Sequence, residues 1–354
     1  MSRVPDMRPD LGLGEGYHSP QVEAAVRLNT NESPVPPPDA WVRAVQAEIA
    51  AVAWNRYPDR AAWSLRKAIA AFHGVAPEQV WCANGSNEVL QTLLLAFGGP
   101  GRGVALWEPT YALHRHIAEL TGTAVAEGAR ADDLSLDLVE VRRVIEQSQP
   151  TVTFLCSPNN PTGEAVEPSV VADVLAWAPG LVVVDEAYGQ FAPWSAAELL
   201  AEDTGLVVTR TYSKTWSLAG LRLGYCLAPA SVVSALERAS LPYHLDAFTQ
   251  LAGRLALEHV EAMERGVALI KEERGRLVAR MAELDVDMWP SDANFILLRP
   301  RRRSGDEVWR GLLDRSVLVR NCSSWAHLTD CLRVTVGTPQ ENDAFLDALA
   351  EVLA

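Results

Sequence analysis

The sequence predicts an α/β protein in two lobes: a mostly parallel sheet covered by helices on both faces, and a second, smaller α/β unit. Three observations carry this. The 354 residues exceed the size at which a single hydrophobic core stops growing. From about residue 46 to 245, short β-branched apolar runs alternate with helical stretches, as parallel strands buried on both faces do. From Val286 onward, short strands alternate with helices again.

Residues 1 to about 45 read as an extended arm that ends in the proline-rich stretch Pro34 to Pro38, ahead of a helix from Ala40 to Val52. Val80-Trp81-Cys82 leads into Ala83-Asn84-Gly85-Ser86-Asn87-Glu88 and an apolar helix, Val89 to Phe97. Ser86 reads there as an N-cap, or as part of an anion site built on the free N–H groups and positive end of the helix. The β-branched run Thr151 to Leu155 is followed by Ser157-Pro158-Asn159-Asn160-Pro161-Thr162-Gly163, a rigid turn made by two prolines and a glycine. Leu181-Val182-Val183-Val184-Asp185 reads as a buried strand ending in an acid. Leu206-Val207-Val208-Thr209 is another apolar run, ahead of Lys214. A long amphipathic helix is expected from Asp246 to about Leu284, bridging the lobes. Strands Asn294 to Leu298, Val317 to Arg320 and Cys331 to Val336 then alternate with helices Gly305 to Asp314 and Gln340 to Leu353.

Arg210-Thr211-Tyr212-Ser213-Lys214 and Leu218-Ala219-Gly220-Leu221-Arg222-Leu223-Gly224-Tyr225 carry the most chemistry. A lysine at the end of a strand can condense with an aldehyde cofactor, and neighbouring hydroxyls with an arginine can hold that cofactor's phosphate. Pyridoxal phosphate needs both services. Asp185, at the carboxyl end of a parallel strand, lies where open α/β sheets bind ligands. A carboxylate there keeps a pyridine nitrogen protonated; otherwise Asp185 is a turn or capping residue. Tyr188 reads as core, or as a hydroxyl that bonds the cofactor's phenolic oxygen. Asn160 reads as a turn residue, or as an amide that donates to the same oxygen.

With Arg27-Leu28-Asn29-Thr30-Asn31-Glu32-Ser33-Pro34, Arg56-Tyr57-Pro58-Asp59, Leu241-Pro242-Tyr243-His244, Ser291-Asp292-Ala293-Asn294-Phe295, Val317-Leu318-Val319-Arg320 and Leu332-Arg333-Val334-Thr335-Val336-Gly337, these motifs run nearly the whole length. The chain resembles a fold-type I pyridoxal-phosphate aminotransferase of the histidinol-phosphate aminotransferase subfamily. The resemblance implies a seven-stranded sheet in a large cofactor-binding domain (46–245), a small C-terminal domain (246–354), and an arm (1–45) that contributes to the small domain and the dimer. It implies that Lys214 carries the cofactor and shuttles the proton, Asp185 pairs with the pyridinium, and Asn160 and Tyr188 bond the phenolic oxygen. Tyr111 would stack on the ring. Ser86, Asn87, Thr211, Ser213 and Arg222 would cradle the phosphate, and Tyr57 would reach the phosphate in the neighbouring subunit of a homodimer. Arg333 would clamp the substrate carboxylate, in a bidentate fit that lysine lacks. Arg320 resembles the family's second arginine, which binds the substrate's own phosphate; otherwise it is a strand-end arginine in an ion pair. Tyr17 would close over the substrate phosphate, or anchor the arm.

A net charge of −14 is a poor match for nucleic acid or an anionic membrane. The run Arg299 to Arg303, interrupted by Pro300, reads as a solvated loop. The five cysteines show no Cys-x-x-Cys spacing, and three of them sit in or after apolar runs, which suits a reducing cytosol. The polar, proline-containing stretch Met1 to Asp10 does not read as a secretory signal, and no apolar run reaches membrane-spanning length. The seven histidines do not cluster like metal ligands.

The leading expectation is therefore transamination between L-histidinol phosphate and 2-oxoglutarate. Histidinol phosphate has no α-carboxylate and glutamate has one, so arginines that grip either anion are needed, and Arg320 and Arg333 are the natural pair. The runner-up is decarboxylation of L-threonine O-3-phosphate, which Lys214-Thr215-Trp216-Ser217 and Arg320 to Trp325 resemble. An aminotransferase for aromatic or specialised substrates is a third reading. A non-catalytic regulator fits poorly, because residues 1 to 40 are too few and too proline-rich for a DNA-binding domain.

Overall fold

A computed structural model describes Leu11 and residues 22–354. Its strands are β1 (Val26–Leu28), β2 (Val80–Ala83), β3 (Gly103–Glu108), β4 (Ala124–Ala129), β5 (Val152–Cys156), β6 (Leu181–Asp185), β7 (Leu206–Thr211), β8 (Gly224–Leu227), β9 (Val286–Met288), β10 (Phe295–Pro300), β11 (Val317–Asn321) and β12 (Leu332–Thr335). The helices are α1 (Asp39–Ile49), α2 (Trp63–His73), α3 (Ser86–Phe97), α4 (Leu113–Leu120), α5 (Leu138–Ser148), α6 (Pro168–Trp177), α7 (Ala230–Ala239), α8 (Ala247–Ala256), α9 (Val260–Met281), α10 (Gly305–Asp314) and α11 (Pro339–Leu353).

The expected seven-stranded sheet forms in the order β2-β8-β7-β6-β5-β3-β4, with only β8 antiparallel to its neighbours. β5 and β7 are buried at every residue, as strands covered on both faces must be. β4 lies outside β3 while β6 lies beyond β5, so the strand order reverses between β3 and β5. That reversal places a crevice at the strands' carboxyl ends. A five-stranded sheet, β1-β11-β12-β10-β9, forms the smaller unit. β1 comes from the expected arm and joins this sheet by parallel pairing with β11, Val26 opposite Val317.

Three expectations change. The bridging helix is broken: α8 and α9 are separated by a short 3-10 turn, Leu257–His259. α8 packs on α1 and α2, while α9 packs on β10 and α11, and one straight cylinder cannot serve both surfaces. The first helix runs from Asp39 to Ile49, because Ala51 N and Val52 N bond only three residues back, to Glu48 and Ile49. The last helix starts one residue early at Pro339, whose fixed φ suits a first helical position, and Thr338 with Glu341 forms a capping box. α10 has the expected bounds, with a second capping box from Ser304 and Glu307.

Of the basic run, Arg299 belongs to β10, whereas Arg301 to Arg303 are exposed beyond it. Arg301 and Arg302 pair with Asp287 and Asp285 at 2.9 Å. All five cysteines are free and buried. Among the described residues, no helix is long and apolar enough to cross a membrane.

Candidate active site

The carboxyl ends of β3, β5, β6 and β7 deliver Tyr111, Asn160, Asp185 and Lys214 to one cavity of about 410 Å³. The N-terminus of α3 adds Ser86 and Asn87; the segments after β6 and β7 add Tyr188, Ser213 and Arg222; Thr211 ends β7, and β12 adds Arg333. Residues 29–32, just after β1, close one wall.

Asp185 is 1 % exposed, and its carboxylate is held from three sides. Thr209 Oγ1 donates to Oδ1 at 3.1 Å, Ala187 N donates to Oδ1 at 3.2 Å, and His114 Nε2 lies 3.0 Å from Oδ2. A carboxylate only accepts, so that imidazole nitrogen carries the hydrogen. His114 is fully buried and stacks on Phe154, with ring centroids 4.6 Å apart and planes 4° apart. Sequence reasoning missed His114. The available signal was its position three residues after Tyr111, on the helix that leaves β3.

Lys214 Nζ donates to the Thr30 carbonyl at 3.0 Å. Burial, and then the Arg333 and Arg222 charges, bring its amine down to about 7, with Glu32 opposing them. A substantial fraction is therefore neutral and nucleophilic near neutral pH. Tyr188 Oη accepts from Asn31 Nδ2 at 2.9 Å, and burial pushes the phenol up to about 12, so it stays protonated. Arg333 Nη1 donates to Asn160 Oδ1 at 2.5 Å and Nη2 donates to the Asn29 carbonyl at 3.0 Å. Asn29, Thr30 and Asn31 thus touch three candidate groups. Their motif was visible in the sequence, but their roles were not, because the contacts join residues more than 150 positions apart.

Ser86 is the first residue of α3, and Gly85 holds the N-cap position with φ 82, so the expected serine cap is corrected. Glycine is needed at that φ, and a Cβ there would lie 2.7 Å from Arg222 Nη2. Gly224 lets β8 approach the same turn, since its Cβ would meet Ser86 N at 2.2 Å. Arg222 Nη1 donates to Ser213 Oγ at 3.2 Å, and Thr211 Oγ1 donates to Ser213 Oγ at 3.0 Å. Tyr111 Oη donates to Asn87 Oδ1 at 3.1 Å. A helix N-terminus, two hydroxyls and a guanidinium therefore converge where an anion fits.

Two expected residues do not line this cavity, and a third is outside the described residues. Arg320 is 8 % exposed on β11, directly opposite Arg333 on β12, with its guanidinium 5.4 Å from the Trp325 ring centroid. Tyr57 is 81 % exposed, outside the cavity, and stacks on Tyr243 at 4.6 Å. Tyr17 lies outside the described residues.

The donor set fits a planar pyridine aldehyde that carries a phosphate: a near-neutral lysine, a carboxylate fixed by three donors, a protonated phenol and an anion cradle. Residues 23–349 match the family model for class I and II aminotransferases. The chain belongs to the class I and II aminotransferases, and its cofactor is pyridoxal phosphate. Two relatives are each named histidinol-phosphate aminotransferase. One, from Frankia casuarinae, is 47 % identical over 95 % of this chain and 87 % of its own. The other, from Streptomyces avermitilis, is 45 % identical over 98 % and 96 %. The crystal structure of histidinol-phosphate aminotransferase from Sinorhizobium meliloti in complex with pyridoxal-5'-phosphate superposes with a TM-score of 0.89, covering 99 % of this chain and 98 % of that one. Its identity to this chain is 21 %, so it speaks for the fold alone.

Proposed function

We propose that this enzyme transfers the amino group of L-histidinol phosphate to 2-oxoglutarate, releasing imidazole-acetol phosphate and L-glutamate. The observation that carries this reading is the cross-strand pair Arg320 and Arg333. Directly opposed residues in an antiparallel ladder point to the same face, so two buried guanidiniums serve one side of the small sheet. Two such forks suit two substrates, of which one has a phosphate and no α-carboxylate, and the other two carboxylates. The relatives named above support the same reading.

When bound, the cofactor supplies an electron-withdrawing ring that stabilises negative charge at the substrate's α-carbon. The protein's part follows from its hydrogen bonds. Asp185, oriented by His114 and Thr209, holds the proton on the ring nitrogen. Asn160 has its oxygen engaged by Arg333, so its Nδ2 is left to donate to the phenolic oxygen. Tyr188 accepts from Asn31 and keeps its own proton for the same oxygen. Ser86, Asn87, Thr211, Ser213 and Arg222 hold the phosphate, and Tyr111 covers the ring. Lys214 Nζ anchors the cofactor and moves the proton at the substrate's α-carbon, a task matched to an amine near 7. Arg333 holds the carboxylate, and Arg320 the distal anion.

The working form is a homodimer in which Tyr57 completes the neighbouring site. Exposure of Trp54, Tyr57, Leu241 and Tyr243 supports this. The chain divides into an arm (1–45), a cofactor domain (46–245) and a small domain (246–354), and it works in the cytoplasm. Tyr17 is assigned to the substrate-phosphate side.

The test supplies the enzyme with 2-oxoglutarate plus either L-histidinol phosphate or L-threonine O-3-phosphate. Glutamate formed with the first and no carbon dioxide from the second supports the assignment. Carbon dioxide from threonine phosphate without glutamate overturns it in favour of a decarboxylase.

A further inference from the structure

We infer that Trp325 is a positioning residue that tunes this site toward phosphorylated substrates, by holding the Arg320 guanidinium over its indole ring. The inference rests on the histidinol-phosphate reading above. Arg320 lies 5.4 Å from the Trp325 ring centroid, within cation–π range. Arg333, its cross-strand partner, has its own set of contacts. It lies 5.2 Å from the Phe295 ring, and its two terminal nitrogens donate to Asn160 and to the Asn29 carbonyl. The two arginines thus have different neighbours: Arg333 bonds the cofactor wall, and Arg320 lies over an indole.

The indole is itself fixed. The connection from β11 to β12 folds in successive tight turns: Trp325 N bonds the Cys322 carbonyl at 2.9 Å, and Leu328 N bonds the Trp325 carbonyl at 3.1 Å. Cys322, Leu328, Leu297 and Leu134 form a buried cluster against which Trp325 packs. On its other side Trp325 borders a crevice with Glu108, Pro109 and Thr110, the segment that leads to Tyr111. Trp325 therefore stands between the phosphate-side arginine and a crevice bordered by the loop that carries the ring-stacking tyrosine. The sequence marked Trp325 only as the end of the Arg320 to Trp325 stretch; its role depends on Arg320 lying beside it.

The experiment compares kcat/KM for L-histidinol phosphate with that for L-histidinol in the wild-type enzyme, in Trp325→Leu and in Trp325→Phe. Leucine keeps apolar volume and removes the ring quadrupole, whereas phenylalanine keeps a ring face. The expected result is an about tenfold loss of the preference in Trp325→Leu, carried by KM with kcat little changed, and recovery of most of it in Trp325→Phe. Thermal denaturation of the loaded dimer shows whether each variant is folded. Equal losses on both substrates, or an unchanged preference in a folded Trp325→Leu, overturn the inference and leave the functional reading standing. A wild-type enzyme without preference for the phosphorylated substrate overturns both.

Discussion

His114 and Asp185 form a fully buried pair, with Nε2 and Oδ2 3.0 Å apart beneath the cofactor cavity. The carboxylate sits at the end of β6, and the imidazole arrives from α4, on the neighbouring layer. A flat stack on Phe154 fixes the plane of the imidazole. The pair is thus preorganised, and in the proposed function neither group would have to move to meet a protonated ring nitrogen.

His114→Leu should lower kcat about tenfold to a hundredfold, because a hydrogen bond to a buried charged group contributes about 1.5–3 kcal/mol. His114→Asn, whose amide can still donate, should recover part of the rate. Steady-state kinetics of the loaded enzyme check both. Unchanged kcat in a folded His114→Leu variant would show that Thr209 and Ala187 hold Asp185 alone.

Lys214→Ala should lose the yellow colour of the bound cofactor and all turnover, as read by absorbance and glutamate production. In the cofactor-free wild-type protein, the rate of cofactor uptake should rise with pH through a midpoint near 7, since the neutral amine is the reactive form. Arg333→Leu removes a charge that disfavours protonation and should raise that midpoint, whereas Glu32→Gln should lower it. The same group affects stability with a definite sign. Between pH 7 and 10.5 the unfolded chain holds the lysine proton and the folded chain does not, so its contribution to stability improves with rising pH. The melting-temperature advantage of cofactor-free Lys214→Met over wild type should therefore shrink across that window.

Arg333→Lys should cut kcat/KM for glutamate about tenfold to a hundredfold, because a point charge cannot replace the fork that also bonds Asn160 and the Asn29 carbonyl. Arg320→Leu should raise KM for L-histidinol phosphate far more than for an unphosphorylated amino acid. Equal effects on the two would make Arg320 structural.

Gly85→Ala should weaken cofactor binding more than it weakens the fold. Its Cβ strains a backbone at φ 82 and pushes on the end of a flexible arginine, Arg222, in the phosphate cradle. Gly224→Ala should do the reverse and lower the melting temperature, since its Cβ meets backbone that has no room to yield. Equilibrium dialysis of the cofactor and thermal melts separate the two.

Much of this was legible in the sequence. The strands β5, β6 and β7 declare themselves by short, β-branched and mostly apolar runs, as strands buried on both faces do. Asp185, Asn160 and Lys214 could be placed because each follows such a run, at the sheet end where ligands bind. The break between α8 and α9 was not legible: the apolar period continues through it, and only the two different packing surfaces demand it.

The sequence by itself determined which residues stand at the strand ends and which chemistry they can perform, since both depend on residue type and short-range pattern. Only the tertiary structure decided who orients them. His114 meets Asp185 across 71 positions, Thr30 meets Lys214 across 184, and Arg333 meets Asn160 across 173. Such partners are chosen by sheet order and layer packing, which no local pattern encodes. Arg320 stands opposite Arg333 for the same reason: antiparallel register, set by the whole small sheet, put them side by side.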